Sequence, residues 1–197
     1  MRRPLPPGVF GHAVFARFNG EPVARLRRDR WWDPSLVLDA GRPADDAYRP
    51  LVVIGINPSD AGSDEDDNTS AKCTTFARRE GANGLVMVNL HPGISKDPDQ
   101  LARVLLPYGC DEHHWEAVDG ALCVNAVAIV AAWGRPPRGL ASYRDRVARV
   151  KKIADDVGVT LMCYGTNGDG SPKHPLYLPG ATPLQIWWSP QPTTNVL

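Results

Sequence analysis

Four apolar runs stand out along the chain, and each is followed by glycine, asparagine or other turn-forming residues. They lie at 51–56 (LVVIGI), 85–90 (LVMVNL), 125–134 (NAVAIVAAWG) and 158–165 (GVTLMCYG). Continuous apolar runs of this length between turn residues are typical of strands that are buried on both faces of a sheet. The pattern therefore predicts four strands in the interior of the protein.

Segments with helical periodicity or helix-capping residues separate these strands. They lie at 69–81, 97–106, 111–123 and 143–158. The last is the clearest, because its apolar residues recur every three or four positions on one face. Strands that alternate with helices predict an α/β fold, here a three-layer sandwich with a mainly parallel central sheet.

The first 50 residues precede this alternating pattern. Segments 12–18 and 22–28 flank Asn19-Gly20, a dipeptide that favours tight turns, and so predict a β-hairpin. The chain has 197 residues, 43% of them hydrophobic, which predicts a single α/β domain. In that domain we expect residues 1–50 to form the hairpin and a loop, 51–180 the core, and 181–197 a proline-rich surface tail.

Charge and cysteine content narrow the function classes. Basic and acidic residues number 22 each, so bulk charge does not indicate a nucleic-acid binder. The arginine-rich hairpin beside Trp31 and Trp32 is either a local nucleic-acid surface or a solvated edge whose tryptophans lie in the core. No disulfide or zinc spacing links the cysteines, of which Cys123 and Cys163 are predicted to be buried. No signal peptide or membrane-spanning run occurs, so we expect a reduced, cytoplasmic protein with no membrane partner.

Polar clusters follow each predicted strand. They are Asn57-Pro58-Ser59, Asn89-Leu90-His91, Trp133-Gly134 and Gly165-Thr166-Asn167. Ligands of parallel α/β sheets bind outside the carboxyl ends of the strands, so a pocket is predicted there. Gly55 permits close backbone approach, and Asn57 offers both a donor and an acceptor. The alternative for Asn57 is a turn in which its side chain only ties down backbone.

Three further segments have both a functional and a purely structural interpretation. The acidic loop 60–67 lacks the calcium-loop spacing and is predicted to be mostly solvated and mobile, with Asp66 or Asp67 as a helix cap or active-site carboxylate. Arg78 and its basic neighbours either contact phosphate at the pocket rim or form a wet helix face. His91 either contacts a ligand or forms a local hydrogen bond.

The glycine-rich loop that begins at Gly165 is the most unusual segment of the chain. Its small residues are predicted to expose backbone N–H groups that suit an anion, with Lys173 and His174 as further donors. The alternative is a flexible loop. The loop lacks the Walker A pattern, and the chain has no G-x-S-x-G, Rossmann G-x-G-x-x-G or H-E-x-x-H motif.

Several motifs together resemble one family of bacteria and phages. They are N-P-S at 57–59, D-D-N-T at 66–69, C-x-x-F-A-R-R-x-G at 73–81, V-N-L at 88–90 and G-x-P-K-H-P-L-Y-L at 170–178. The likeness spans about residues 50–180. On it the chain is identified as a member of the domain-of-unknown-function family sixteen-forty-three, whose name implies no activity.

Gly55-Ile56-Asn57-Pro58 also resembles the first motif of the mismatch-specific branch of the uracil-DNA glycosylase superfamily. This likeness implies a uracil-DNA glycosylase-like fold, and an Asn57 that holds the attacking water. It implies that Asn89 reads a base edge, and that His174 and Lys173 hold phosphate or stabilise the leaving base. No metal or other cofactor is implied. The expected catalytic residues are Asn57, Asp60 and His174. The expected substrate-binding residues are Gly55, Pro58, Ser59, Asp67, Arg78, Asn89, His91, Gly165, Thr166, Lys173 and Tyr177.

Three hypotheses follow for the function. The first is a DNA-base glycosylase that acts on a modified pyrimidine, with DNA as its partner. The second is a nucleotide-level hydrolase or transferase of a base-modification pathway, which the zero net charge suits better. The third is a non-catalytic module that binds a modified base.

Overall fold

The computed structural model describes residues 2–36, 38–39, 42–43 and 47–190. Its strands are β1 (Arg3–Pro4), β2 (Phe10–Phe18), β3 (Glu21–Trp31), β4 (Leu38–Asp39), β5 (Arg42–Pro43), β6 (Pro50–Gly55), β7 (Glu65–Asp66), β8 (Gly84–Asn89), β9 (Ala128–Ala131), β10 (Leu161–Cys163) and β11 (Gln185–Trp188). Its α-helices are α1 (Asn68–Arg79), α2 (Cys110–Leu122) and α3 (Tyr143–Asp156), and 3₁₀ helices span Pro98–Arg103 and Pro175–Tyr177.

The fold is α/β, with a central seven-stranded sheet in the order β11-β10-β9-β6-β8-β3-β2. The inner strands β10, β9, β6 and β8 are parallel, as the four apolar runs predict. The sheet as a whole is mixed, however, because β11 joins one side and the β2–β3 hairpin joins the other, all antiparallel. The expectation of a mainly parallel sheet is therefore wrong. The apolar runs identify the inner strands but carry no information about which segments extend the edges.

Helices cover both faces of this sheet. Alternate residues of β6 point to opposite sides, so that Leu51 and Val53 pack with Phe76 of α1. Val52 and Ile54 belong to the other core cluster, which α2 and α3 cover through apolar residues such as Val118 and Val150. The strands are buried on both faces, which explains why their sequences are continuously apolar.

Several predicted details need correction. The tail does not simply lie on the surface, because Gln185–Trp188 pairs with β10, while residues 191–197 lie outside the described part. The segment predicted as a short helix at 97–106 is a 3₁₀ helix over Pro98–Arg103. Cys123, predicted to be buried, is exposed at the end of α2.

The connections of the parallel strands diverge at one point. The crossover from β6 to β8 carries α1 over one face, and the crossovers that follow β8 and β9 carry α2 and α3 over the other. At a divergence of this kind a ligand crevice is expected, here between the carboxyl ends of β6 and β9. Within the described residues, no helix is long and apolar enough to cross a membrane.

Candidate functional site

Gly55 and Asn89 bring two strand ends into contact. The two residues are paired in register at the ends of β6 and β8. A Cβ atom at position 55 would lie 2.7 Å from Asn89 Oδ1, so only glycine leaves room for this amide. Asn89 is 4% exposed, and its side chain forms no hydrogen bond with any described residue. Because buried amides normally have partners, Asn89 is the best-placed group for contact with a ligand or an ordered water.

Asn57 is fixed in orientation by the backbone around it. Its Nδ2 donates to the carbonyl oxygens of Pro58 at 2.9 Å and Ser95 at 2.7 Å. A flipped amide would face those oxygens with its own oxygen, so the orientation is determined chemically. Pro58 is buried, and its carbonyl oxygen also accepts from the Ser95 N–H at 3.2 Å. Asn57 therefore ties down backbone, as the structural interpretation predicts, and it does so with Oδ1 left as an uncommitted acceptor within the described residues.

His174 lies beside the end of β9. Its Cβ would be 3.5 Å from a Cβ atom built on Gly134, where a φ of 75° favours glycine. His174 Nδ1 accepts from the Leu176 N–H at 3.4 Å, so the neutral ring carries its proton on Nε2. Burial lowers the pKa of His174, and the charge of Asp67 offsets this only in part. The imidazole is therefore a neutral donor at physiological pH.

Asp67 begins α1 as its N-cap. It accepts from the Ser70 N–H at 2.7 Å, and the Ser70 hydroxyl accepts from the Asp67 N–H at 3.0 Å. Burial, the largest influence, raises the pKa of Asp67. The Ser59 hydroxyl, the Ser70 N–H and the charges of Arg28 and Arg25 together outweigh burial and lower it. Asp67 is therefore an ionised helix cap that reaches the electrostatic surroundings of the site.

Three buried arginines of β3 hold the acidic loop against the sheet. Arg25, Arg28 and Arg30 donate to loop carbonyl oxygens over 2.6–3.3 Å. Those oxygens belong to Ser59, Ala61, Gly62 and Glu65. Arg30 Nε also pairs with the buried Asp66 at 3.2 Å. Arg25, Arg28 and Arg30 thus form neither the nucleic-acid surface nor the solvated edge that the sequence predicts, whereas Arg17 is exposed and Trp31 lies in the core as the second alternative expects.

The same contacts correct the expectation of a solvated, mobile acidic loop. Glu65–Asp66 pairs with Arg3–Pro4 as a small second sheet. Burial lowers the pKa of Arg25 to about 9 and that of Arg28 to about 10, with neighbouring arginines adding to the shift. The loop supplies carbonyl oxygens to all three cations and a carboxylate to Arg30, because an unpaired buried charge is unfavourable, while Nε and Nη1 of Arg28 have no partner among the described residues.

Asp60 lies apart from the strand ends. It forms ion pairs with Arg2 and with Lys96, whose Nζ is 3.0 Å away. The hydrogen bond from Arg2 is the largest influence on the pKa of Asp60 and lowers it, against the effect of burial. Within the described residues, no contact joins Asp60 to Asn57 or Asn89. The geometry therefore gives no support to its predicted catalytic role.

The glycine-rich loop after β10 does not present free N–H groups as predicted. Lys173 N–H donates to Gly165 O at 2.8 Å, and Asn167 N–H donates to Ser171 O at the same distance. Thr166 forms a bridge with Pro172, and the Asp169 carboxylate accepts from the Ser171 N–H at 3.1 Å. The loop is internally bonded, so its backbone is not the expected anion cradle. Lys173 and Tyr177 remain exposed on its outer side.

Two predicted binding residues lie elsewhere. Arg78 is in the last turn of α1, with its guanidinium carbon 4.9 Å from the centre of the Trp32 ring. Trp32 follows β3 near the start of β8, at the sheet edge opposite the strand ends, because Trp31 pairs with Gly84. The expectation that Arg78 lines the pocket rim is therefore not met. A helix after a parallel strand runs back, which carries its last turn away from the site.

His91 faces α2 and α3 instead of the crevice. Its Nδ1 accepts from the Gly93 N–H at 3.0 Å, and burial followed by the charge of Arg146 lowers its pKa to about 4. Arg146 donates to Leu90 O at 2.9 Å and pairs with Asp111. His114, fully buried, lies 3.3 Å from the same Leu90 oxygen.

Sequence reasoning missed the network of Asp111, His114, Arg146 and His91. Arg146 gave no signal, because it lies among other basic residues of an amphipathic helix. Only the paired histidines at 113–114 marked the region. Burial, with Arg146 second, also lowers the pKa of His114 to about 4. Both histidines are therefore neutral structural groups at physiological pH.

A cavity of about 550 Å³ lies away from the strand ends, between the N-terminal segment and β2. Leu5, Phe10, His12 and Trp31 are among its lining residues, and none of its lining residues belongs to the predicted site. Across the described ranges, no three His, Cys, Asp or Glu side chains are grouped as metal ligands.

Comparison with known proteins identifies one family. The family model described as "Protein of unknown function (DUF1643)" matches residues 30–176, which is most of the chain. No match is found among curated proteins or among solved structures. The match includes the strand-end asparagines, the α1 motif and His174, so the motif-based expectation of this family is confirmed. The chain belongs to the DUF1643 family.

Proposed function

We propose that this protein hydrolyses the N-glycosidic bond of a modified pyrimidine in DNA, with the base held by Asn89 and the attacking water by Asn57. The observation that carries the proposal is the buried Asn89 amide without a protein partner. A carboxamide offers an acceptor and two N–H donors side by side, which complements the alternating donors and acceptors of a pyrimidine edge. The resemblance to the uracil-DNA glycosylase superfamily supports the same assignment.

Asn57 supplies an acceptor for the water. Its Nδ2 is engaged by Pro58 O and Ser95 O, so the direction of Oδ1 is set before a substrate arrives. A water that donates to Oδ1 presents its lone pair to the sugar carbon. Such preorganisation lowers the cost of orienting the nucleophile in the transition state.

His174 acts on the departing base. As the water oxygen bonds to the sugar carbon, the carbon–nitrogen bond breaks and its electron pair leaves with the base. The Nε2–H of neutral His174 donates to the oxygen on which negative charge develops, and the Lys173 ammonium adds favourable charge. The water loses a proton, and the base gains one on release, so the step balances as hydrolysis.

The arrangement of the inner strands supports a uracil-DNA glycosylase-like fold. The parallel order β10-β9-β6-β8 puts the first strand next to the third, with the connections diverging between them. Asn57 follows the first of these strands, and His174 packs beside the end of the third. A base that enters this crevice meets the water-holding group and the leaving-group donor from two sides.

A nucleotide-level hydrolase or transferase is the second candidate. Burial of Arg25, Arg28 and Arg30 removes the surface that the sequence offered for duplex binding. The net charge of zero also favours a small substrate over a polyanion. The same pocket chemistry applies to a free nucleotide.

The test is mass spectrometry after incubation with single- and double-stranded oligonucleotides that carry uracil, 5-hydroxymethyluracil or bulkier 5-substituted pyrimidines, and with the matching free nucleotides. We expect a free base from DNA, with release lost in Asn57→Ala and Asn89→Ala. Asn125→Ala is the control, since Asn125 is exposed just before β9, at the opposite edge. A modified free nucleotide with intact DNA would establish the second candidate. Tight binding of the modified base without turnover, unchanged by Asn57→Ala, would identify a binding module.

A further inference from the structure

A group of exposed side chains surrounds His174 on the outer side of the site. Lys173 and Tyr177 flank it on the same loop, and Arg135 follows Gly134, whose Cβ position lies 3.5 Å from His174 Cβ. We call Lys173, Arg135 and Tyr177 the outer rim. The outer rim is formed by the loops after β9 and β10 and includes none of the hairpin arginines.

The cations of the outer rim are exposed. Neither Lys173 nor Arg135 forms an ion pair within the described residues. Asp169, which accepts from the Ser171 N–H at 3.1 Å and the Ser171 hydroxyl at 2.6 Å, interacts electrostatically with Arg135 from beyond ion-pair distance. Two exposed cations without an ion pair suit the phosphates of a substrate.

Tyr177 distinguishes a strand from a single nucleotide. It is 82% exposed, and its ring centre lies 5.9 Å from that of His174. Tyr108 is exposed as well, so the position of Tyr177 beside Lys173 and His174 carries the argument: an exposed aromatic ring next to a cation is a platform for a stacked base. A single nucleotide places its only base in the pocket. A ring outside the pocket therefore suits the base of a neighbouring nucleotide.

We infer that the outer rim binds a single-stranded or locally unpaired DNA segment that flanks the target base. Lys173 and Arg135 contact backbone phosphates, and Tyr177 stacks on the adjacent base. The inference rests on the proposed function for its target base, and it deepens that function by naming the strand segment beside the target base and the residues that hold it. The net charge of zero is compatible with this inference. The cations of the outer rim act only on their surroundings, and the acidic loop contacts the buried arginines of β3.

Binding of the full chain to a fluorescently labelled single-stranded thymidine-rich oligonucleotide tests this inference, by anisotropy over a range of salt concentrations. We expect Tyr177→Ala to weaken binding about tenfold and Tyr177→Phe to retain it, since phenylalanine also stacks. We expect Lys173→Gln and Arg135→Gln each to reduce the slope of log K against log salt by about 0.7. Tyr108→Ala and Lys152→Gln are matched controls, since both residues are exposed outside the outer rim.

The outcomes separate this inference from the proposed chemistry. Rim-dependent oligonucleotide binding without base release would leave the inference standing and remove the proposed function. Base release from DNA, with oligonucleotide binding unchanged in all rim variants, would leave the proposed function standing and overturn the inference. Base release from a free nucleotide alone, without oligonucleotide binding, would overturn both. Equal losses in Tyr108→Ala and Tyr177→Ala would also overturn the assignment to this rim.

Discussion

Asn89 and His91 lie two residues apart at the end of β8, and their surroundings differ in kind. Asn89 is buried against Gly55, and no described residue satisfies its amide. His91 is equally buried, but Gly93 satisfies its Nδ1, and the helices α2 and α3 face it with Asp111 and Arg146. The end of this strand thus has one side chain without a hydrogen bond to any described residue and one that a hydrogen bond holds in place.

The difference separates a residue that is available to a ligand, Asn89, from one that is part of the structural framework, His91. Both residues are polar and both follow a buried strand, so the sequence predicts ligand contact for either. The deciding property is whether the protein anchors the side chain by a hydrogen bond, as Gly93 anchors His91 and no described residue anchors Asn89. A polar group that the fold leaves unsatisfied at a crevice costs stability, and a ligand that satisfies it recovers that loss.

The largest effect on stability is expected from a fall in pH, because His91 and His114 are buried in the neutral form. Burial and Arg146 lower the pKa of each to about 4, below the value near 6.5 of the unfolded chain. The unfolded state therefore binds more protons between these values, and stability is lost as pH falls from about 6.5 to 4. We expect the free energy of unfolding to fall by on the order of 3 kcal/mol over this range, measured by urea denaturation.

A double variant isolates the two histidines. His91→Gln with His114→Gln should flatten the pH dependence between about 6.5 and 4. His113→Gln should leave it unchanged, because His113 is exposed on the outer face of α2. Loss of the ionised Asp67 and Asp111 falls at still lower pH, since the pKa of each is lowered. A slope that persists in the double variant would contradict the structural role of these histidines.

Removal of the Asn89 amide is expected to have the next largest effect. It should lower activity and leave stability nearly unchanged. Asn89→Ala should reduce base release about 100-fold, equivalent to about 2.7 kcal/mol, because the base loses its fixed partners. The free energy of unfolding should change by less than about 1 kcal/mol, since no described residue bonds to the amide. Kinetics and urea denaturation of the same preparation measure both. A large stability loss with unchanged release would place Asn89 in the scaffold.

The sequence predicted the inner frame well because its signals are local. The runs at 51–56 and 85–90 became strands Pro50–Gly55 and Gly84–Asn89, and 69–81 became a helix over Asn68–Arg79. Apolar continuity and capping residues need only neighbouring positions. The attachment of the hairpin to β8 depends on distant residues, and no local pattern encodes it.

The site was predictable in part for the same reason. Strand-end position identified Asn57 and Asn89, since it follows from topology alone. Arg28 was assigned to the surface because charge usually signals exposure, yet it is fully buried. The available signal was charge complementarity between an arginine-rich strand and an acidic loop of opposite charge. That signal indicates contact only after the two segments are known to be neighbours.

A smaller effect on stability is expected when Arg146, the cation that faces His91, is replaced. Arg146→Met should lower the free energy of unfolding by about 2 kcal/mol, because Leu90 O loses a donor and Asp111 loses its partner. The exposure of Asp111 keeps the loss below that of a fully buried pair. Methionine loses the cation that lies 5.5 Å from the centre of the Trp115 ring, but its side chain can pack on the same ring. Urea denaturation measures the loss, and base release should stay within about twofold, with Arg144→Met as the exposed control on the same helix.

The smallest effect is expected from His91→Gln, and it bears most directly on the comparison with Asn89. Glutamine keeps a side-chain acceptor for the Gly93 N–H, so the free energy of unfolding at neutral pH should fall by no more than about 1 kcal/mol. Base release should change by less than about threefold, because a neutral imidazole that faces Arg146 does not reach the substrate. A loss above about tenfold at unchanged stability would mean that His91 turns toward the crevice when substrate binds. The strand end would then act as one continuous site, and the division between Asn89 and His91 would not persist during catalysis.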